Sequence, residues 1–275
     1  MEYVLQSETI KWLKLHLTEG IGLNTFLKLL SQFHDIDNIL KNLKNLPKDE
    51  EIEKLTFELA RNQVKILKLT DVDYPEKLKE LLKPPPILYL KGNFEILKSD
   101  RMISIIGARL CSSFAFDIAF DIAHKLSKMG YCIVSGYAQG IDTAAHCGAL
   151  SANGKTIMVI PFGILNFRLH PEIKKYSEKI KENTLIISEC RPYETWHRGF
   201  ALRRNRITAA LGNALIIVDS GHKGGVIKTA EFARALNKKI FLFEGCKREN
   251  DKILKQMGAK LFKNISEILC EFAVH

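Results

Sequence analysis

At 275 residues with 46% hydrophobic side chains, the chain is long enough to bury a sizeable core, which excludes a disordered or fibrous protein. Its 41 lysines and arginines against 31 acidic residues give a net charge of +10, which points to a polyanion or an anionic surface as partner, or to a plain solvated basic surface. The six cysteines (Cys111, Cys132, Cys147, Cys190, Cys246 and Cys270) lack metal-ligand spacing, and no signal peptide or membrane-length apolar run is present, so a soluble cytoplasmic protein with free buried thiols is expected.

Residues 1 to about 70 carry helical periodicity, with Ile10, Leu13 and Leu17 followed by Phe26, Leu29, Leu30 and Phe33. No strand pattern shows there, and a small helical domain over 1–70 is expected. Gly20-Ile21-Gly22 falls between two of its helices, which fits either a helix-hairpin-helix whose amides hold a backbone phosphate or a plain helix-helix turn. Asp71-Val72-Asp73-Tyr74-Pro75 and Lys83-Pro84-Pro85-Pro86 then punctuate the chain, predicting a linker or an extended crossing segment.

Beyond residue 100, short β-branched runs alternate with helical stretches at 102–106, 131–135, 156–160, 185–188, 214–219, 239–243 and 260–262. Seven strands follow. The helices between them carry one apolar stripe each, as Phe114, Ile118, Ile122 and Leu126 do, which suits a parallel sheet covered on both faces. Residues 71–275 therefore read as a doubly wound α/β, Rossmann-like domain with a mostly parallel sheet.

In such a sheet, ligands bind beyond the carboxyl ends of the strands where strand order reverses, so the strand-to-helix turns carry the chemistry. The first turn, Gly107-Ala108-Arg109 ahead of a helix starting near Phe114, offers amides and a guanidinium to a phosphate. It is not a dinucleotide fingerprint, and no acidic residue ends the second strand, so no nicotinamide cofactor is expected. The second turn, Ser135-Gly136-Tyr137-Ala138-Gln139-Gly140, allows close approach of a ligand backbone. Asp142 reads as a helix N-cap and His146 as a satisfied structural histidine in preference to an acid/base pair, because no nucleophile accompanies them.

The third region, Trp196 to Arg206, packs Arg198, Arg203, Arg204 and Arg206 beside His197 and two aromatics, a mixture suited to phosphates and unpaired bases. Asn205 can cap a helix at Ile207–Leu211, and Arg206 can pair internally with Glu189. The fourth turn sets Lys223, Gly224 and Gly225 at a helix start as a further anion nest, without the spacing of a P-loop.

These residues resemble the DprA family, DNA processing protein A, also called Smf. The resemblance rests on Tyr74-Pro75 with Pro85-Pro86-Ile87-Leu88-Tyr89-Leu90-Lys91-Gly92, on Gly107-Ala108-Arg109, on Ser135-Gly136-x-Ala138-x-Gly140-Ile141-Asp142-x-x-Ala145-His146, on Ser188-Glu189, on Arg204-Asn205-Arg206 and on Gly225 with Thr229-Ala230. It implies an extended Rossmann fold, single-stranded DNA binding, a homodimer and loading of the RecA recombinase in natural transformation, without catalysis, cofactor or metal. By matched positions, Arg109 and the Ser135-Gly136 and Gly224-Gly225 turns would meet phosphates, and Arg203, Arg204 and Arg206 would line the groove; Gly107, Gln139, Gly140, Asn205 and Lys223 complete the expected DNA-binding set.

The sequence departs from the family's pattern at Phe200, one residue further than expected from the Arg-Asn-Arg triplet, at the longer loop Phe162 to Pro171, and at Gly224 where serine is common. No winged-helix domain is expected after the sheet. A competing reading, a nucleotide sensor or a LOG-type phosphoribohydrolase, would place its catalytic acid at Glu231.

Overall fold

The computed structural model describes residues 7–33, 35–222, 224–269 and 271. Four helices come first: α1 (Ser7–Leu17), α2 (Leu23–Phe33), α3 (Ile36–Lys41) and α4 (Asp49–Arg61). The chain then alternates through β1 (Val64–Lys68), α5 (Glu76–Lys79), β2 (Ile87–Gly92), β3 (Met102–Ile106), α6 (Ser113–Lys128), β4 (Cys132–Ser135), α7 (Ile141–Ser151) and β5 (Thr156–Val159). After α8 (Pro171–Lys174) and α9 (Ser177–Asn183) come β6 (Thr184–Ser188), α10 (Arg198–Leu211), β7 (Ala214–Ile217), α11 (Gly225–Ala235), β8 (Lys239–Phe243), α12 (Asn250–Gln256), β9 (Lys260–Phe262) and α13 (Ser266–Leu269).

The nine strands form one sheet in the order β1-β2-β6-β5-β4-β3-β7-β8-β9. From β6 to β9 every neighbouring pair is parallel, while β1 runs antiparallel to β2 and β2 antiparallel to β6. The chain starts the parallel part at β3, steps outward through β4, β5 and β6, then returns to lay β7, β8 and β9 on the other side. The order reverses between β3 and β7, which opens the crevice of a doubly wound sheet beyond their carboxyl ends.

All seven expected strands are present. The antiparallel pair was not expected: β1 lies in a stretch whose sequence shows only helical periodicity, and β2 follows the proline run read as a linker. The sheet therefore begins at Val64, before the expected boundary near residue 70.

Burial explains the elements. β3 reads Met-Ile-Ser-Ile-Ile and is buried throughout, as a central parallel strand covered on both faces must be. Ser112 caps α6 by accepting from the Ala115 amide, and Ala115, Ala119, Ile122, Ala123 and Leu126 turn its apolar stripe inward. At the far end of the sheet, Lys77 and Lys238 donate to the last carbonyls of α10, at Leu211 and Ala210, and Lys238 also to Gly212, satisfying a buried helix terminus.

The N-terminal helices share their core with the sheet. Trp12, Leu13, Phe26, Ile39 and Leu59 pack in one cluster with Ile66, Ile87, Tyr89, Leu150 and Met158. Arg191, just past β6, donates to the carbonyls of His16 (3.0 Å), Thr18 (2.8 Å) and Ile21 (3.3 Å), so the hairpin between α1 and α2 is turned toward the sheet. Among the described residues, no helix is long and apolar enough to cross a membrane.

Candidate nucleic-acid interface

Backbone hydrogen bonds knit the turns after β3, β4 and β7 into one rim. The Ala108 amide donates to the Asp219 carbonyl (2.8 Å), and the Ile141 amide donates to the Ala108 carbonyl (3.2 Å). Asp219 is fully buried, accepts from the Gly221 amide (2.9 Å) and holds Arg248 in a two-point pair at 2.9 and 2.8 Å, which fixes the turn after β7. From α10, the Asn205 amide nitrogen donates to the Gly225 carbonyl (3.2 Å) and ties that helix to the start of α11.

The turn after β4 is built around close approach. A side chain at Gly136 would collide with the Arg204 guanidinium and the Asp142 carboxylate, so only glycine fits. Gly140, at φ +77°, occupies the N-cap of α7. Asp142, expected as that cap, lies instead inside the first turn of α7, where its Oδ2 accepts from the Ala138 amide (3.3 Å). Burial raises its pKa, against the pull of Arg204.

His146 is the structural histidine that was expected. It is buried, its Nε2–H donates to the Gly136 carbonyl (2.6 Å), and Nδ1 lies 2.7 Å from the Thr156 hydroxyl. Burial pushes its pKa down to about 4, so it is neutral and props the glycine turn from beneath.

The arginines of α10 divide into three environments. Arg206 is buried and bonded two-point to Glu189 (2.6 and 2.8 Å), with Nε donating to the Lys83 carbonyl (3.1 Å). Of its two sequence readings, the internal pair is the one present, and Arg206 does not line a groove. Arg204 is also buried; its Nη1 reaches the Thr208 hydroxyl at 3.4 Å, while its Nε has no partner, and the guanidinium lies over Gly136 beside Asp142 and Arg109. Arg203 is half-buried, with its guanidinium carbon 5.0 Å from the Phe200 ring and its Nε 3.3 Å from Glu189.

The outermost groups are those a ligand would meet first. Arg109 is exposed, with its guanidinium 5.6 Å from the ring of Trp196, itself half exposed. Gln139 is exposed at the tip of the second turn, and Gly224 is exposed at the N-cap of α11, whose first residue is Gly225. Gly107 is half-buried at the end of β3. Ser135, expected to meet a phosphate, is fully buried, and its hydroxyl donates to the Ile105 carbonyl (2.6 Å). Lys223 lies outside the described residues.

Two further expectations change. Asn205 does not cap a helix, because α10 already starts at Arg198 with His197 as its cap (Nδ1 accepts from the Gly199 amide, 3.1 Å). Glu231 sits in the second turn of α11, exposed and paired with Lys228 (2.6 Å), not in the crevice. The pairing of Trp196 with Arg109 was not legible, since only the fold brings the loop before α10 against the turn after β3.

Chemically, the rim offers a guanidinium at its mouth, a second packed against the glycine turn, the N-terminal ends of α7 and α11, and aromatic rings beside the arginines. That set has the chemistry to receive anions and to stack planar groups. Among the described residues, no cluster of histidine, cysteine and carboxylate side chains is placed to hold a metal ion.

Fold and rim together define a Rossmann-like α/β protein with glycine-rich turns and arginines along one sheet edge. Residues 65–273 match the family model described as DNA recombination-mediator protein A, and the chain belongs to that family. It is 31% identical over 256 residues to Protein Smf of Synechocystis sp., covering 86% of this chain and 64% of that relative, which is just under two thirds of the relative's length. It is 33% identical over 214 residues to DNA processing protein DprA of Streptococcus pneumoniae, covering 74% of this chain and 73% of the other. The X-ray structure of DNA processing protein A from Streptococcus pneumoniae superposes with a TM-score of 0.76 at 28% identity, covering 98% of this chain and 99% of that one. The Helicobacter pylori protein, whose structure concerns a unique single-stranded DNA binding mode, superposes at 0.66 with 29% identity, covering 76% and 95%.

Proposed function

We propose that this protein binds single-stranded DNA along the carboxyl rim of its sheet, protects it, and loads the RecA recombinase during natural transformation, acting as a homodimer and without catalysis of its own. The observation that carries the reading is Arg109, exposed at the mouth of the crevice with Trp196 beside it, a cation and a ring placed for a phosphate and an unpaired base. The Helicobacter pylori relative's named binding mode supports it. In this reading, Arg109, Gln139, Arg203 and the amides at Gly140, Gly224 and Gly225 meet the strand. Arg204, Asn205, Gly107 and Gly136 shape the rim from below, while Arg206 and Ser135 hold the interior.

The test is fluorescence anisotropy of a labelled single-stranded oligonucleotide and of its duplex at two salt concentrations. Single-strand preference and salt sensitivity are expected, with Arg109→Ala weakening binding about tenfold and lowering the salt slope by about 0.7. No binding by the wild type at low salt overturns the reading. Light scattering of the purified protein tests the dimer, and RecA filament assembly on protein-coated single strands tests the loading step.

A further inference from the structure

A cavity of about 290 Å³ lies beyond the rim, where the α1–α2 hairpin meets the end of β6 and the first turns of α10. Its walls include the rings of His16, Phe26, Phe200 and Pro86. It is a built feature, because Arg191 pins three carbonyls of the hairpin in place on one side and the two-point pair of Glu189 with Arg206 anchors the other.

The polar groups facing it are of mixed kind. Arg203 pairs with Glu189 (Nε to carboxylate 3.3 Å) without the alignment of a hydrogen bond, so its buried Nε makes none. Glu194 accepts the Arg191 amide with one carboxylate oxygen (3.0 Å). His16 uses Nδ1 on the Tyr89 hydroxyl (2.9 Å), and burial, reinforced by Arg191 and Arg203, pushes its pKa down to about 3, so its ring is uncharged. Two carboxylates on the wall, Glu189 and Glu194, count against a phosphate. Ring faces with a donor and an acceptor at the edge suit an uncharged heteroaromatic ring.

We propose that this cavity receives one base of the bound single strand, stacked on Phe200 and edge-bonded by Arg203 and Glu194, so that the N-terminal helices form part of the DNA path. The proposal rests on the single-strand reading. Its geometry is continuous with the rim, since Phe200 lies between Arg203 (5.0 Å) and the ring of His197 (5.6 Å), the residue that follows Trp196 in the chain.

The test uses the full chain and an oligonucleotide carrying 4-thiothymidine, irradiated and mapped by mass spectrometry. Adducts within residues 16–26 or at Phe200 are expected. Gly22 lines the cavity, and a Cβ added there meets nothing within 4 Å, so Gly22→Phe is chosen as the plug, with an unchanged melting temperature as the check that the fold is kept. It is expected to abolish those adducts and weaken binding about tenfold, the loss of one stacked base, while the salt slope stays that of the wild type because no phosphate contact is removed. Wild-type binding without adducts in these segments, or unchanged affinity in the plugged protein, overturns the proposal and leaves the rim reading standing. Free thymidine that shifts the resonances of the cavity, with no adduct from the strand, overturns it in favour of a free nucleoside. Failure of the wild type to bind any single strand overturns both readings together.

Discussion

Arg109, Arg204 and Arg206 are chemically identical and physically different. Arg206 satisfies Glu189 inside the protein, so Arg206→Ala leaves a buried carboxylate short of its main partner. The expected cost is about 3 kcal/mol or more, read as a melting temperature lower by roughly 10 °C, whereas Arg109→Ala changes DNA affinity and leaves melting unchanged. His146 sets a pH dependence. Its folded pKa of about 4 lies below the 6.5 of an unfolded histidine, so between those values the unfolded chain takes up a proton that the folded one refuses. Stability is therefore full above pH 6.5 and is lost as pH falls toward 4, with His16 acting in the same direction and Asp142, whose pKa is raised, partly opposing them. Calorimetry from about pH 7 to about pH 4.5 is expected to show a falling melting temperature, and His146→Gln to flatten that fall.

At the scale of elements, the second turn depends on one missing side chain. Gly136→Ala puts a methyl on the Arg204 guanidinium and the Asp142 carboxylate, and is expected to cost about 1–3 kcal/mol, with weaker DNA binding in the folded fraction; chemical denaturation and anisotropy read the two separately. The seven parallel strands were legible because each is a short β-branched run set between amphipathic helices. β1 was not, since Val64 begins three residues after α4 ends and its Val-Lys-Ile-Leu-Lys pattern merges with the helical stripe before it. β2 was obscured by the prolines that precede it, although Ile87 to Gly92 carried part of the family resemblance. Antiparallel pairing at a sheet edge is decided by the partner strand, which local sequence does not name. The first half of α10 was likewise obscured, because its arginines interrupt any apolar stripe, and that is why Asn205 was read as a cap. The rim's turns were legible as glycine-rich, but which of their polar groups face outward was settled by the buried partners Ile105, Glu189 and Thr208.

For the whole molecule, if the proposed single-strand binding holds, the excess of 10 positive charges is expected to make association steep in salt and tolerant of base sequence. Docking of the N-terminal helices is expected to make unfolding one cooperative transition, and Arg191→Ala, which frees three carbonyls of the α1–α2 hairpin, to make residues 7–61 the first cut by a protease at low enzyme ratio. β1 gives that docking a further meaning. It is the outermost strand on its side of the sheet, and it covers the free edge of β2. A shortened protein begun at residue 71 would lay bare the backbone donors and acceptors of Ile87–Gly92 on an apolar ribbon, a ready template for strands of other molecules. Self-association of such a fragment is expected from this architecture, read as a larger apparent mass in size-exclusion chromatography, and the opening helices and the sheet behind them then behave as one piece.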